Sequence, residues 1–106
     1  MEDGKKVYQR TCVACHQAQG QGLEGAFPPL AKADYLNADV DRAIETVLKG
    51  HTGGITVNGK QYNSMMPPQP LTPEQIADVL TYVYHNWENN KTVVSPERVK
   101  KVREKR

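Results

Sequence analysis

The sequence predicts a small all-α domain, four to five helices with one short β-hairpin, and three observations predict it. Apolar residues recur at helical spacing in two long stretches, Val40, Ala43, Ile44, Val47 and Leu48, then Ile76, Val79, Leu80, Val83 and Trp87. The strand signal is Ile55-Thr56-Val57-Asn58-Gly59-Lys60-Gln61-Tyr62, two β-rich arms around an Asn-Gly turn that tolerates positive φ. Third, 106 residues make one domain, yet only 38% are hydrophobic and there is a single Phe. So thin an apolar supply predicts a core completed by something other than protein.

Taken in order, residues 3–14 read as a helix with Asp3 as N-cap and Val7, Thr11 and Ala14 along one stripe. Gly4 has no helix-forming advantage, but it lets a second helix approach closely, with Tyr8 one turn on flanking the contact. The alternative is a frayed terminus. This helix leads into Cys12-Val13-Ala14-Cys15-His16, the attachment pattern for a c-type haem. Each thiol can add across one haem vinyl group, and a turn of helix sets the separation of the two thioethers. His16 can then offer one ring nitrogen to the iron while the other donates a hydrogen bond that fixes the ring. Two competing readings are weaker. Cys12 and Cys15 are the only cysteines, and His51 and His85 lack the spacing that would complete a zinc site. A thioredoxin-like redox pair would want a preceding strand within a βαβ pattern, which is missing. A haem also supplies the apolar plane that the composition lacks.

Gly20, Gly22 and Gly25 make residues 17–26 a loop with loose backbone demands. In Phe27-Pro28-Pro29-Leu30 the prolines remove two donors and leave rigid carbonyls, which suit the second nitrogen of a metal-bound imidazole. A stiff loop alone is the alternative. The next helix covers about residues 38–49, capped by Asn37 and closed by Gly50, with His51 beyond it facing solvent, a ligand role being the alternative. After the hairpin, Pro67, Pro68 and Pro70 hold the chain extended, and two of the three methionines lie here. A thioether is a soft donor suited to haem iron. Pro67 biases Met66 towards an extended backbone, which favours Met66 over Met65 as the second iron ligand. Thr72-Pro73-Glu74-Gln75 starts a helix running to about residue 87, with His85 in its last turn, where a cation suits the helix dipole. Ser95-Pro96 starts a last short helix with Val99 and Val102 as its apolar stripe.

The chain divides into a haem-binding domain over residues 1–90 and a basic C-terminal tail over 91–106, whose short helix is expected to pack on the domain. The tail holds Lys91, Arg98, Lys100, Lys101, Arg103, Lys105 and Arg106 against Glu97 and Glu104, in a chain of formal charge +2. No aromatic residue is interleaved, so the expectation is a solvated helix face and no nucleic-acid partner. No apolar run is long enough for a membrane span. No signal peptide precedes the folded-looking sequence at Met1-Glu2-Asp3-Gly4. Haem c is attached outside the bacterial cytoplasm, so an exported, periplasmic protein is expected. The chain is then a processed product or a piece of a larger exported protein, with Met1 an expression start.

With these features in order, the chain resembles a class I cytochrome c over roughly residues 3–87. The resemblance implies that fold around one covalent haem, with Gly4 and Tyr8 of the first helix meeting Val79 and Tyr82 of the last long one. It also implies that the carbonyl of Pro28, two residues before Leu30, holds His16. The expected haem-binding set is therefore Cys12, Cys15, His16, Pro28, Leu30 and Met66, with His16 and Met66 on the iron. A narrower likeness rests on Phe27-Pro28-Pro29-Leu30-Ala31, Ile55–Gly59 with Tyr62-Asn63, Met66-Pro67, and the Trp87…Ser95-Pro96-Glu97-Arg98-Val99 tail. These residues resemble the haem c domain fused to the C-terminal side of some copper nitrite reductases; similar hairpins and tails occur in cytochrome subunits of periplasmic dehydrogenases. The implied function is electron transfer to a redox partner protein, a tethered copper nitrite reductase domain foremost, with the enzyme activity in sequence outside this chain. A free-standing or dehydrogenase-associated carrier is the alternative. A haem enzyme or gas sensor with a displaceable methionine, and a structural module held by a disulfide, are the rivals from other classes.

Overall fold

The computed structural model describes residues 2–63 and 65–104. Met1, expected to be an expression start, Ser64 of the methionine-proline segment, and Lys105 and Arg106 of the basic tail lie outside the described residues. Helix α1 (Glu2–Val7) passes through a π-helical segment (Tyr8–Cys12) into α2 (Val13–His16). The helix expected over 3–14 is thus interrupted. The Val13 N–H reaches back five residues to the Tyr8 carbonyl. One extra residue per turn rotates the downstream residues by about 100° of helix phase, so the cysteine-histidine motif is turned relative to the face α1 presents. Asp3 lies inside α1 and does not cap it, because the helix already includes Glu2.

The remaining elements are α3 (Asp34–Ala38), α4 (Val40–Lys49), β1 (Ile55–Val57), β2 (Lys60–Tyr62), α5 (Pro73–Tyr84) and α6 (Pro96–Glu104). Helix α1 packs on α5. Gly4 is buried at that contact. A Cβ on it would stand 2.8 Å from Tyr82 Cβ and closer still to the Asp78 carbonyl oxygen. Gly4 is therefore a close-approach residue and not a frayed end. Its neighbour is the Asp78 backbone, while the expected partner Val79 is buried and lines a cleft on another side of α5. Tyr8, Tyr82 and Trp87 complete the junction, with ring centroids 5.8, 5.2 and 5.7 Å apart for the pairs Tyr8–Tyr82, Tyr8–Trp87 and Tyr82–Trp87.

Helix α5 starts with the expected capping box, Thr72 and Gln75 each bonding the other's backbone N–H. It stops at Tyr84, short of residue 87, with His85 as C-cap. Trp87, at φ 56, folds back onto Tyr8, so it joins the core through the turn and not through the helix face. Tyr84 is buried and donates its hydroxyl to the Leu36 carbonyl at 2.7 Å; burial pushes its pKa up to about 12.

The cap of α4 is Asp39, whose Oδ1 accepts from the Arg42 N–H at 3.1 Å. Asn37, the expected cap, belongs instead to α3, where its amide donates to the Ala33 carbonyl and to Asn89 Oδ1. Five residues are too few to show a helical period, so α3 leaves no trace in the hydrophobic pattern. The hairpin forms as expected, with Ile55 opposite Tyr62 and positive φ at Asn58 (53) and Gly59 (82). Asn58 and Asp34 exchange two side chain–backbone hydrogen bonds, 3.0 and 2.8 Å, which dock the turn on the start of α3. Helix α6 lies on α4 and α5 with Val99 and Val102 buried, and Arg98 reaches Asp41 at 2.8 Å. No helix among the described residues is long and apolar enough to cross a membrane.

Candidate haem site

Helix α2, the Phe27–Leu30 segment, α4, the hairpin, the Met66 segment and α5 enclose an apolar cleft of about 360 Å³. All six residues of the expected set, Cys12, Cys15, His16, Pro28, Leu30 and Met66, line it. His16 is buried, and its Nδ1 lies 2.9 Å from the Pro28 carbonyl oxygen. A carbonyl only accepts, so Nδ1 carries the proton and Nε2 keeps its lone pair. Burial lowers the His16 pKa, opposed by the Pro28 bond, and the ring is therefore held in the neutral form a metal requires.

Local backbone geometry produces this arrangement. Helix α2 ends at His16 because Gln17 takes φ 70, and the His16 carbonyl then accepts from the Gly22 N–H at 3.0 Å. Gly22 sits at φ 67, and a Cβ there would stand 2.8 Å from the Pro28 carbonyl oxygen. The loop read as permissive is in fact tight: its glycine lets the Pro28 peptide approach His16. Leu30 and Ala31 both donate to the Gly20 carbonyl, which fixes the far side of the proline segment.

The two cysteines line the cleft, each half-buried and not joined in a disulfide. Burial, then the neighbouring Cys15, pushes the Cys12 thiol up to about 11. Met66 is half-buried, whereas Met65 is 67% exposed. The Met66 segment is pinned to the end of α4. Met66 and His51 exchange two backbone hydrogen bonds of 2.8 Å, and the Gln69 N–H donates to the Val47 carbonyl at 2.9 Å. Gly50, at φ 79, makes the approach feasible, since a Cβ on it would fall 2.5 Å from the Met66 carbonyl oxygen.

His51 departs from its expected solvent-facing place. Its pairing with Met66 carries it into the cleft wall, where Nε2 is buried without a hydrogen-bond partner among the described residues. Arg42 has no counterpart among the expected site residues. It falls off the apolar stripe of α4, yet it lines the cleft with a buried Nε that has no partner among the described residues. Neither position carries a signal in the helical pattern, because the contacts that bury them come from the α3 and Met66 segments.

These residues fit a haem: apolar walls for the ring, two thiols at one border, and a neutral imidazole with a free lone pair. A largely helical fold closed around such a cleft defines a domain for a covalently attached haem. Residues 1–87 match the family model for cytochrome c, and the chain belongs to that family. Its cofactor is one covalent haem c and its class is the electron-transfer cytochromes. The chain is 40% identical to cytochrome c-552 of Thermus thermophilus, over 98% of this chain and 86% of that protein. It is 35% identical to cytochrome c6 of Gloeothece citriformis, over 81% of this chain and 71% of that one. The cytochrome subunit of fructose dehydrogenase from Gluconobacter japonicus is 29% identical over 95% of this chain, which spans only 22% of that subunit.

Proposed function

We propose that this domain carries single electrons between exported proteins, with its haem joined through Cys12 and Cys15 and its iron held by His16 and Met66. The observation that carries the reading is the His16–Pro28 bond, which leaves Nε2 free inside a cleft that Met66 lines. When bound, the haem supplies reversible one-electron chemistry. The Pro28 carbonyl orients the imidazole and raises its basicity. Phe27, Leu30, Val79, Leu80 and Val83 keep water from the cleft. The Met66 thioether, as a ligand, would favour the reduced state. His16 and Met66 would both hold the iron, so the group would supply electron transfer and not substrate activation. Ala14, Met65, Pro67 and Pro68 are exposed and uncharged, and Met65 and Pro67 line the cleft, which suits close approach by a partner. Such a contact is small and short-lived, as turnover requires. Attachment of haem c outside the cytoplasm supports a periplasmic location for the carrier.

The test is an intact mass and a visible spectrum of protein matured with haem-attachment machinery. The mass should exceed the polypeptide by one haem and withstand acid-acetone, and the reduced spectrum should not change under carbon monoxide. Extractable haem, or carbon monoxide binding, overturns the reading.

A tethered form is the second reading, with the haem delivering electrons to the copper centre of a nitrite reductase in the same polypeptide or oligomer. Its support is the likeness of the Phe27–Ala31 segment, the hairpin and the tail to such haem domains, and a tether would offset a weak contact by raising effective concentration. The near end-to-end match with cytochrome c-552 supports a separate carrier instead. The reading frame decides: a copper domain encoded with this chain supports the tether, and a frame of this length behind an export signal refutes it.

A further inference from the structure

Apart from the tyrosines, two polar side chains are buried among the described residues, His16 and Asn89, each 8% exposed. Both hold carbonyls of one short segment. His16 Nδ1 donates to Pro28 and Asn89 Nδ2 donates to Leu30, two residues on, each at 2.9 Å. Pro29, between them, fixes one of the backbone torsions that relate the two carbonyls. A polar side chain is buried without penalty only when its hydrogen bonds are made. Asn89 makes two more, Nδ2 to the Val83 carbonyl and Oδ1 from Asn37 Nδ2, both at 2.9 Å.

Asn89 lies just beyond the residues that match the family model, in a turn where Trp87, Glu88 and Lys91 take φ 56, 64 and 61. Left-handed backbone in such residues persists only where the surroundings impose it. Here the turn is bound to the Leu30 segment on several sides. The Trp87 carbonyl accepts from the Lys32 N–H at 3.0 Å, and Lys32 Nζ reaches Glu88 at 3.2 Å. The Trp87 ring covers Gly20, where a Cβ would fall 2.6 Å from Cε3, and the Gly20 carbonyl takes the N–H groups of Leu30 and Ala31.

We infer that Asn89 is a positioning residue for the haem site: its amide fixes the Leu30 carbonyl and, through Pro29, sets the Pro28 carbonyl against His16 Nδ1. The inference rests on the proposed haem site, although Asn89 is not among the residues lining the cleft. A looser Pro28 bond leaves the imidazole less basic and a weaker donor to ferric iron, so the ferrous state gains. The turn after α5 thus tunes the site from behind its wall.

The test uses the haem-loaded protein. Intact mass comes first; a chain without covalent haem overturns the proposed function and this inference together. With haem attached, Asn89→Ala should shift the ferrous-to-ferric ratio at fixed ambient potential about threefold towards ferrous, about 28 mV for one electron. The His16 Nδ1 proton, followed by NMR of the reduced protein, should also exchange with solvent faster than in wild type. Thr81→Val is the control for loosening alone. It cuts the Thr81 Oγ1 bonds to the Val94 N–H and carbonyl, 2.9 and 3.2 Å, which tie down the same C-terminal stretch without touching Leu30. It should change neither reading. If Asn89→Ala does not mature, Asn37→Ala removes the amide that orients Asn89 and should give a smaller change in the same direction. Absence of either change in whichever variant matures, or an equal shift in Thr81→Val, would overturn the inference while leaving the electron-carrier reading standing.

Discussion

Replacing Gly4 by Ala tests the junction of α1 and α5 with a single methyl group. The new Cβ would meet the Asp78 carbonyl oxygen well inside van der Waals contact and Tyr82 Cβ at 2.8 Å. Both lie on or next to the α5 backbone, so no side-chain rotation relieves the clash and the helices must separate. Overpacking of this kind costs about 1–3 kcal/mol. Alanine returns about 0.8–1.0 kcal/mol of helix propensity relative to glycine, leaving a net loss of about 0–2 kcal/mol. Lys5, exposed on the same helix, supplies the control: the difference between Lys5→Ala and Lys5→Gly measures the propensity term without the clash. Guanidinium unfolding of the haem-loaded protein reads both. After subtraction of the control, Gly4→Ala should stand about 1–3 kcal/mol below wild type, and Gly4→Val lower still. If Gly4→Ala gains the full propensity term, the close crossing does not exist in solution.

Three further outcomes are expected. Met66→Ala should open the sixth position, lower the potential and admit carbon monoxide, while Met65→Ala, at a 67% exposed side chain, should leave the spectrum unchanged; the reverse pattern would move the ligand by one residue. Gly50→Ala, strained at φ 79 and 2.5 Å from the Met66 carbonyl, should weaken the methionine–iron band with the His16 side unaffected, which near-infrared absorption of the ferric protein checks. Cys12→Ala combined with Cys15→Ala should abolish covalent haem and lower the helical circular dichroism of the chain, since the cleft walls then face water.

Legibility in the sequence followed the range of the interactions. Features set by neighbours in sequence came through: the Thr72–Gln75 capping box, the Asn58-Gly59 turn, the cysteine-histidine motif, the amphipathic stripes of α4 and α5. Features set by distant contacts did not. The π-helical segment keeps a helical pattern on both sides, so spacing cannot reveal the extra residue. Asp39 and Asn37 are both good caps, and only the intervening α3 decides for Asp39. Trp87 fits the stripe of α5 by spacing, yet the helix ends before it.

The haem site divides along the same line, and the division says what the haem does for the fold. His16 and the cysteines form one short motif, whereas Arg42, His51 and Gly22 are placed by segments outside their own element, around Tyr35, Met66 and Pro28. The buried apolar residues explain why. Tyr8, Ile44, Ile76, Tyr84 and Val99 are at most 1% exposed and belong to the π-helical continuation of α1 and to α4, α5 and α6, where protein packs on protein. In the cleft wall, Leu36, Val57, Tyr62, Val79, Leu80 and Val83 are buried, while Phe27, Leu30, Val47, Ile55 and Leu71 are half-buried. Apolar surface left facing water is worth about 25 cal/mol per Å² once covered, so the cleft side gains most from a bound plane. Without haem, the Met66 segment and hairpin should lose protection from hydrogen exchange before α5 does, because their packing surface is the one the cofactor completes.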